Sequence, residues 1–354
     1  MSETVLGIGM IGAGRVAANH ARAAREVAGV VLRAVAEVDE ARRAEFIEKH
    51  AAAAGGEPVT GYASYHDLLA RDDIQLVIVA LPHWLHAEAT LHALEAGKHV
   101  LVEKPMAMSL DECDRMIAAA ERAGRVLAVG QTHHFHPIPA QAKALLDTGR
   151  FGRIAWGAEV MYAPRRYGSN APWFFDRQRG GGQLLANGVH FVDRLCWTIG
   201  STGGGPADAV PAAPDRARPV AVKALVGTFF NEYPADDGAV VFIQFDTGQV
   251  GTMHLTGHFA GAPRYEAEYV CARGMVKYGR ELFATHPEDP DDTQYHAVPV
   301  EPANGFVRQL ANVAAAIRER RAPAVPGSWG RLVMSILFAA EESSRSGREV
   351  LLEQ

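Results

Sequence analysis

The sequence predicts an α/β protein in which a doubly wound parallel sheet precedes an α+β domain with a large, open, mainly antiparallel sheet. Three observations lead to this prediction. Early in the chain, short apolar runs alternate with helix-length segments, and such an order requires parallel strands joined by crossover helices. A glycine-rich turn joins the first run to the first helix. After residue 220, strand-like runs follow one another with short turns, which is typical of antiparallel sheets.

Each element of the first domain is predicted from its own pattern. Apolar runs rich in β-branched residues predict strands at Thr4–Ile11, Val30–Glu37, Leu76–Ala80, His99–Glu103 and Val126–Gly130. The segments between them have helical length, at Arg15–Val27, Glu40–Ala54, Leu85–Ala96 and Leu110–Ala123. Ser109 and Glu112 form the pattern of a capping box at the start of the last helix, and Gly124 follows its end.

The second domain is predicted from proline, glycine and hairpin signals. Pro137 and Pro139 open a helix that ends near Gly149, and glycines 180–182 precede a helix through Trp197. The strands predicted after it are Val220–Phe230, Gly238–Asp246, Gln249–His258 and Tyr265–Arg273. Two late helices are predicted at Gly305–Arg321 and Ser328–Ser344. Because 354 residues exceed one ordinary core, we predict two domains, 1–133 and 134–354.

The composition argues against several classes of protein. Hydrophobic residues make up 48% and charged residues 21% of the chain, as in ordinary globular proteins. A formal net charge of -6 argues against nucleic acid as the main partner, because phosphate binding needs a basic surface. The sequence contains no apolar run that would span a membrane and no secretory signal pattern. The widely spaced cysteines are typical of reduced thiols, so we expect a cytoplasmic protein.

The turn after the first strand has the pattern GxGxxA, formed by Gly12, Gly14 and Ala17. Gly12 allows a tight turn, and Gly14 lets the backbone approach a pyrophosphate. The anion would face the N-terminus of the helix that begins with Arg15 and Val16. Because a strand precedes the turn and a helix follows it, the pattern predicts a dinucleotide-binding Rossmann domain.

Glu37 ends the second strand, about 20 residues beyond the glycine loop. An acid at this place accepts hydrogen bonds from the ribose hydroxyls and repels a 2′-phosphate, so we expect NAD in preference to NADP. Asp39 is a weaker candidate for the same contact. The alternative for both residues is an ordinary acid in a surface turn.

Several stretches resemble the glucose–fructose oxidoreductase, inositol dehydrogenase and rhizopine-catabolism family, called Gfo/Idh/MocA. They are the glycine loop, "LPHWLHAE", "EAGKHVLVEKP", "GGGQLLANGVHFVD" and "VPGSWGRLVMSILFAAEESSRSGREVLL". The resemblance covers nearly the whole chain. It implies an NAD-dependent dehydrogenase that transfers hydride between nicotinamide and a carbinol or carbonyl carbon of a sugar, cyclitol or related polyol.

The resemblance implies that Lys104 lies beside the nicotinamide ring and the reacting carbon. A developing alkoxide needs a nearby positive donor, and partial burial would lower the pKa of Lys104 below about 10.4. The bond between Lys104 and Pro105 is usually cis in this family. The alternative is a solvated ion pair of Glu103 and Lys104 at a strand end.

Further cofactor contacts are implied for residues that follow the parallel strands: Leu81, Pro82, His83, His86, Glu103 and Gln131. His83 stands where many relatives have asparagine. His86 matches a histidine common in the family, and its role is open between a structural one at a helix start and a reactive one.

The resemblance assigns the acid/base role to His190, whose ordinary pKa near 6.5 suits proton transfer at working pH. Relatives usually carry an acid four residues earlier, where this chain has Ala186. Asn187 cannot be assumed to replace it, because adjacent helical residues point about 100° apart. The departure leaves room for Lys104 to carry more of the proton transfer, and for loss of activity.

Asp193 is predicted to orient the ring of His190 from three residues further along the helix. The alternatives are that Asp193 caps local structure or pairs with Arg194. With the ring held, the ammonium of Lys104 and the imidazole of His190 are predicted to face a single carbon of the substrate.

Substrate contacts are predicted for His134, Arg166, Trp173, Asn187 and Asp193. Relatives commonly carry arginine at position 134. Aromatic faces suit the C–H faces of sugar or cyclitol rings, and arginines suit hydroxyls or a carboxylate, although loop packing is the alternative for each residue. His133, His134 and His136 would suggest a metal only if they converged, so we predict no metal and contact of one histidine with substrate.

Two other functions stay open at this point. One is an NAD-dependent enzyme that cleaves glycosides through transient oxidation, and the other is a non-catalytic protein that senses NAD(P). The C-terminal sheet resembles the part of the family that pairs subunits, which predicts a homodimer or homotetramer. The partners expected are therefore a small polyol or sugar and a second copy of the chain.

Overall fold

The computed structural model describes residues 5–50, 58–164, 171–200, 217–230, 232 and 234–352. The chain divides into two compact units. The first unit contains residues 1–132 and 304–331, and the second contains residues 133–303 and 332–354. The chain therefore changes units beside the predicted boundary at residue 133, whereas residues 304–331 join the first unit instead of the second.

The first unit contains a six-stranded parallel sheet. Its strands are β1 (Leu6–Ile11), β2 (Val30–Ala36), β3 (Thr60–Tyr62), β4 (Leu76–Val79), β5 (His99–Val102) and β6 (Leu127–Val129). The order β3-β2-β1-β4-β5-β6 changes direction between β1 and β4, as in doubly wound sheets, and confirms the predicted fold class. Strand β3 escapes prediction because it is short and largely exposed, so it lacks an apolar run.

The helices between these strands follow the sequence pattern, except that the pattern does not predict the short helix Tyr65–Leu69. They are α1 (Arg15–Glu26), α2 (Glu40–His50), α3 (Tyr65–Leu69), α4 (His86–Glu95) and α5 (Leu110–Ala123). The predicted cap of α5 is confirmed, because the Ser109 hydroxyl accepts a hydrogen bond from the Glu112 N–H at 3.1 Å. Gly124 ends the helix with a φ of 60°. The predicted end of α2 at Ala54 lies outside the described residues.

The second unit contains a nine-stranded sheet in the order β14-β13-β12-β11-β7-β10-β9-β8-β15. Its first five strands are β7 (Ile154–Pro164), β8 (Pro219–Gly227), β9 (Gly238–Phe245), β10 (Val250–Phe259) and β11 (Arg264–Cys271). The remaining strands are β12 (Gly274–Tyr278), β13 (Leu282–Ala284), β14 (His296–Val298) and β15 (Val350–Leu351). Among the described strands of this second sheet, only β7 and β10 pair in parallel, so the sheet is mainly antiparallel as predicted.

The second unit also contains the helices α6 (Pro137–Asp147) and α7 (Val189–Ile199). Helix α7 is held to the sheet by a buried ion pair. The guanidinium of Arg194 donates to both carboxylate oxygens of Glu159 on β7, which is fully buried. The hydroxyl of Tyr269 donates to the same carboxylate at 2.9 Å, and that of Tyr278 does so at 3.3 Å. The charge of Glu159 is therefore matched by one cation and two hydroxyl groups.

Helix α8 (Gly305–Glu319) explains why residues 304–331 belong to the first unit. Leu310, Val313 and Ala314 are buried in the same hydrophobic core as Ala17 and Ala21 of α1. The last helix, α9 (Gly327–Ser346), begins in the first unit and ends in the second. Within the described ranges, no helix has both the length and the apolar character that crossing a bilayer requires.

Replacing Glu159 with glutamine should lower the free energy of unfolding by about 3–5 kcal/mol, because the buried guanidinium of Arg194 loses its counter-charge. Denaturant titration of the full chain measures this loss. The control is Glu266→Gln, which removes an exposed carboxylate paired with Arg264 and should change stability little. Equal losses in the two variants would contradict this account of the core.

Candidate active site

The glycine loop joins β1 to α1 at the edge where the parallel strands end. Gly12 has a φ of +95°, and a Cβ placed there would lie 2.4 Å from the carbonyl oxygen of Ala80. Backbone conformation and space therefore both require glycine. Gly14 is exposed, and a Cβ built on it would meet no atom of the described residues within 4 Å apart from the adjoining backbone and its chain neighbours. Gly14 makes no side-chain cap to α1, so the helix N-terminus presents its amides to an open space that fits a pyrophosphate.

Glu37 lies beside the glycine loop at the end of β2. Its Oε2 accepts a hydrogen bond from the Ala13 N–H, and its Oε1 accepts one from the Asp39 N–H, both at 3.1 Å. A carboxylate offers about four lone-pair sites, so capacity remains for the ribose hydroxyls. Asp39 is exposed and accepts a hydrogen bond from the Arg42 N–H at 2.8 Å, near the start of α2. The structure thus brings the predicted acid and the predicted loop together.

Glu103 is buried at the end of β5, next to Lys104. Its Oε1 lies 2.7 Å from Nε2 of His20 on α1, and its Oε2 accepts a hydrogen bond from the Lys104 N–H at 3.2 Å. Burial raises the pKa of Glu103, but the hydrogen bond with His20 and the nearby charges outweigh it, so the pKa lies below its ordinary value. Glu103 is only 6% exposed, which does not fit the alternative of a solvated ion pair.

Lys104 is half-buried at the edge where the parallel strands end. Burial lowers the pKa of its ammonium, the charge of Arg15 lowers it further, and Glu103 opposes both effects. The direction agrees with the sequence prediction. The bond between Lys104 and Pro105 is cis, as the family resemblance implies. The ammonium of Lys104 therefore loses its proton more readily than that of an exposed lysine does.

His86 connects the turn after β4 to the turn after β5. Its Nδ1 lies 2.7 Å from the carbonyl oxygen of Pro105, and its Nε2 lies 2.8 Å from that of Leu81. The ring is fully buried, and burial lowers the pKa of His86. These contacts favour a structural role for His86 over a reactive one. His83 is also buried, with its ring centroid 5.8 Å from that of His86.

Gln131 follows β6 and carries a buried amide. It is 1% exposed, and the described part of the chain offers no hydrogen-bond partner to its Oε1. Buried amide oxygens are almost always hydrogen-bonded, so an orphaned one indicates a partner that the chain itself does not supply. This observation fits the predicted contact of Gln131 with a cofactor.

His190 lies in the first turn of α7, in the second unit. Its half-buried ring stacks on that of His133, with centroids 4.1 Å apart and planes at 7°. Arg194 donates a hydrogen bond to Nδ1 of His133 while its guanidinium also holds Glu159. Because Nδ1 of His133 accepts this bond, the neutral ring carries its proton on Nε2. This supporting role of His133 has no local signal in the sequence, because 57 positions separate His133 from His190.

Asp193 and His134 form a buried pair in the second unit. The carboxylate Oδ1 of Asp193 lies 2.9 Å from Nε2 of His134, and the two side chains are 0% and 2% exposed. The His134 ring also stacks on Trp197, with centroids 4.1 Å apart. Both residues are predicted to contact substrate, but burial on this scale favours a supporting role. Arg194, the alternative partner for Asp193, instead has Glu159 as its counter-charge.

One turn of π-helix, Leu184–Gly188, leads into α7 and contains the departure from the family pattern. Ala186 is buried there, and the Asn187 amide donates to Oε1 of Gln183 at 2.6 Å. Asp236 anchors the turn by accepting a hydrogen bond from the Leu184 N–H at 2.7 Å. Burial raises the pKa of Asp236 to about 6. Short π-helical turns are frequent at functional sites.

The other predicted substrate residues are placed only in part. Trp173 lies in a short 3₁₀-helix, Pro172–Phe175, half-buried and with its ring centroid 6.0 Å from that of Phe174. Arg166 lies outside the described residues. The rings of His133 and His136 meet edge to face at 5.1 Å, whereas His134 has Asp193 as its partner. Within the described ranges these histidines do not belong to a group of three potential metal ligands.

Comparison with known proteins gives matches to both units. Residues 6–131 match the GFO/IDH/MocA oxidoreductase family with an NAD-binding Rossmann fold, and residues 140–277 match a C-terminal domain of that family. The chain is 28% identical over 299 residues to 1,5-anhydro-D-fructose reductase of Ensifer adhaerens, which covers 82% of this chain and 83% of that protein. The structure of GenD2 from gentamicin A biosynthesis, in complex with NAD, has a TM-score of 0.81 and 25% identity, with 100% of this chain and 98% of that one covered.

A further relative is similar over a shorter stretch. The chain is 40% identical over 133 residues to 1-carboxy-3-chloro-3,4-dihydroxycyclohexa-1,5-diene dehydrogenase of Comamonas testosteroni. This alignment covers 37% of the present chain and only 33% of the relative's own length.

Substitution of the two loop glycines should separate folding from cofactor binding. Gly12→Ala should destabilise the chain by about 2 kcal/mol or more, because its Cβ meets the Ala80 carbonyl in a left-handed backbone. Gly14→Ala should leave the thermal midpoint near that of the natural chain but weaken NAD binding, since its Cβ fills the open space above α1. Thermal unfolding and NADH fluorescence titration measure the two effects, and an intact NAD affinity in Gly14→Ala would contradict the assignment.

Asp236 should make stability depend on pH. Its native pKa of about 6 lies above the unfolded value of about 3.9, so the native state binds the proton more tightly. The free energy of unfolding should therefore fall as the pH rises from about 4 to 6, by up to about 3 kcal/mol, and stay level above. Asp236→Asn keeps the acceptor for Leu184 and should flatten this slope in denaturant titrations. The same slope in both proteins would show that other groups cause it.

Proposed function

We propose that this chain, which belongs to the GFO/IDH/MocA oxidoreductase family, transfers hydride between NAD and a carbinol or carbonyl carbon of a sugar, cyclitol or related polyol. The observation that carries the proposal is the environment of Lys104. It is a half-buried ammonium with a lowered pKa, placed after β5 at the edge where the glycine loop and Glu37 also lie. An ammonium there can stabilise a developing alkoxide, which hydride transfer from an alcohol requires.

Cofactor binding is proposed for the side chains at the ends of the parallel strands. The N-terminus of α1, with Gly12, Gly14, Arg15 and Val16, would hold the pyrophosphate. Glu37 would accept the ribose hydroxyls and disfavour a 2′-phosphate. The nicotinamide side is assigned to Leu81, Pro82, His83, Glu103, Lys104 and Gln131, with His86 holding two of these turns together. When bound, NAD supplies the hydride acceptor, and the chain supplies position and charge.

Proton transfer is proposed for Lys104 and His190, acting on one oxygen of the substrate. Lys104 would donate a hydrogen bond to that oxygen, and His190 would accept the proton that leaves it. In place of the acid missing at Ala186, the stacked ring of His133 would orient His190. Arg194 fixes His133 in turn, because its own position is set by the buried Glu159.

A cyclic polyol is the proposed substrate class. Two of the relatives named above are a reductase of an anhydro sugar and a dehydrogenase of a dihydroxylated cyclic diene. Trp173 would offer an aromatic face to the ring, and Asn187 and Arg166 would bind hydroxyl groups. His134 and Asp193 would act beneath these residues as a buried support.

A homo-oligomer formed through the nine-stranded sheet is part of the proposal. Large apolar side chains on one face of the sheet are exposed on β7, β8 and β9, namely Trp156, Leu225, Val240 and Phe242. An apolar face of this kind favours association with a second copy.

The three cysteines are free and buried, which supports a cytoplasmic location.

The proposal is tested by NADH formation across cyclitols, aldoses, ketosugars, sugar acids and dihydrodiols. Accumulation of free NADH supports a dehydrogenase, whereas glycoside cleavage with recycled cofactor supports the glycoside-cleaving alternative. The observation that favours a non-catalytic sensor is that Ala186 stands where relatives usually carry an acid. NAD binding without turnover on any substrate would support that function.

Lys104→Met should lower turnover about a thousandfold while NAD affinity stays close to that of the natural chain. His190→Ala should lower turnover to a similar extent and remove one ionisation from the pH profile of turnover. The matched control is Lys49→Met, which changes an exposed lysine on α2 of the same unit. Unchanged turnover in Lys104→Met would overturn the mechanism.

A further inference from the structure

Two imidazoles and a carboxylate meet on the hairpin that joins β13 to β14. His296 is the first residue of β14 and pairs in register with Ala284, the last residue of β13. His286 lies two positions beyond Ala284, and Asp292 lies in the connecting segment. The strand pairing therefore closes the loop of residues 285–295 and brings its two ends, each with a histidine, to the same place. None of these residues belongs to the site proposed above.

The three side chains have the spacing of metal ligands. One ligand atom from each of His286, Asp292 and His296 lies within 4.8 Å of the other two. Nε2 of His296 is 2.7 Å from Oδ2 of Asp292, and the ring centroids of His286 and His296 are 4.5 Å apart. Ligands about 2.0–2.2 Å from a tetrahedral Zn²⁺ lie about 3.3–3.6 Å from each other. Small side-chain rotations would therefore complete the coordination.

The backbone of the loop fixes the carboxylate for this purpose. Oδ1 of Asp292 accepts a hydrogen bond from the Gln294 N–H at 2.9 Å, which leaves Oδ2 directed at His296. The Asp292 N–H donates to the carbonyl of Asp289, whose own N–H donates to the carbonyl of His286.

The end of the loop is also anchored to the sheet. The hydroxyl of Tyr295 donates to Sδ of Met275 at 3.3 Å, and the ammonium of Lys277 lies 3.5 Å from the centre of the Tyr295 ring. Tyr295 immediately precedes His296, so these contacts to β12 limit the movement of the imidazole. Two of the three ligands thus occupy positions that the protein sets without a metal.

We infer that His286, Asp292 and His296 form a surface site for one transition-metal dication of the Zn²⁺ class. Two imidazole nitrogens and one carboxylate oxygen suit Zn²⁺, Ni²⁺, Co²⁺ or Cu²⁺, whereas Mg²⁺ and Ca²⁺ prefer sites made of oxygen ligands. The exposure of both histidines leaves a further coordination position to water. A bound ion would join both ends of the loop and stabilise the β13–β14 hairpin at the edge of the sheet.

The experiment is a calorimetric titration of the full chain with ZnCl₂ after removal of metal by a chelator and dialysis. One equivalent should bind, and MgCl₂ should give no comparable binding. His286→Ala, His296→Ala and Asp292→Asn should each weaken Zn²⁺ binding at least tenfold. The matched control is His66→Ala, which removes an exposed imidazole that lies 5.0 Å from the ring of His92 and should leave the affinity unchanged.

Two further readouts make the outcome decisive. Zn²⁺ affinity should fall as the pH is lowered, because protons compete with the metal for the imidazole nitrogens. Zn²⁺ should raise the thermal midpoint of the natural chain and of His66→Ala but not that of His296→Ala. Retention of one tightly bound equivalent in all three site variants, with circular dichroism showing that they fold, would place the ion elsewhere and overturn the inference. Absence of binding to the natural chain would do the same.

Discussion

Burial of charged carboxylates is the constraint on which both units depend. Glu103 in the first unit and Glu159 in the second lie in the interior with nearby cationic side chains. A buried charge is tolerated only when partners satisfy it, so His20 and Arg194 must keep their positions. The residues proposed for chemistry are attached to these pairs. Lys104 follows Glu103 directly, and His190 stacks on the histidine that Arg194 holds.

Parallel strand order has a second effect on the site. All parallel strands of the first sheet end at one edge, so short turns from separate parts of the chain become neighbours there. The turn after β1 approaches the turn after β4 so closely that Gly12 has no room for a side chain. His86 then ties the turn after β4 to the one after β5. The turns at this edge are thus linked by direct contacts, so a shift in the backbone of one turn would displace the next.

Much of the fold and part of the candidate site could be predicted from local sequence. The features that could not be predicted all depend on contacts between residues far apart in the chain. Buried strands of the first sheet are apolar runs, and the glycine loop needs a fixed spacing, so both are readable from neighbouring residues. Strand β7 and its parallel pairing with β10 depend on contacts between residues far apart in the chain, which no short pattern encodes. The same holds for the burial of His134 with Asp193. As isolated residues both look like binding groups, and only the packing of α7 reveals that each satisfies the other.

The missing acid at Ala186 illustrates a related point. A family pattern identifies a position by its usual residue, but the physical requirement is that the imidazole of His190 be held. Here the ring of His190 stacks on that of His133. His133 in turn accepts a hydrogen bond from Arg194, which is paired with the buried Glu159. In the proposed mechanism, residues outside the family motif thus take over the positioning that the motif's missing acid would provide.

The return of α8 to the first unit has a consequence for how the protein can be divided. Leu310, Val313 and Ala314 complete a core whose other members come from the beginning of the chain. A fragment that stops after residue 132 would expose the apolar side of α1 and lack part of its own interior. The nucleotide-binding half is consequently not a transferable module in the ordinary sense. Grafting it onto another protein would require carrying along a segment that begins at residue 304, which is 172 positions after residue 132.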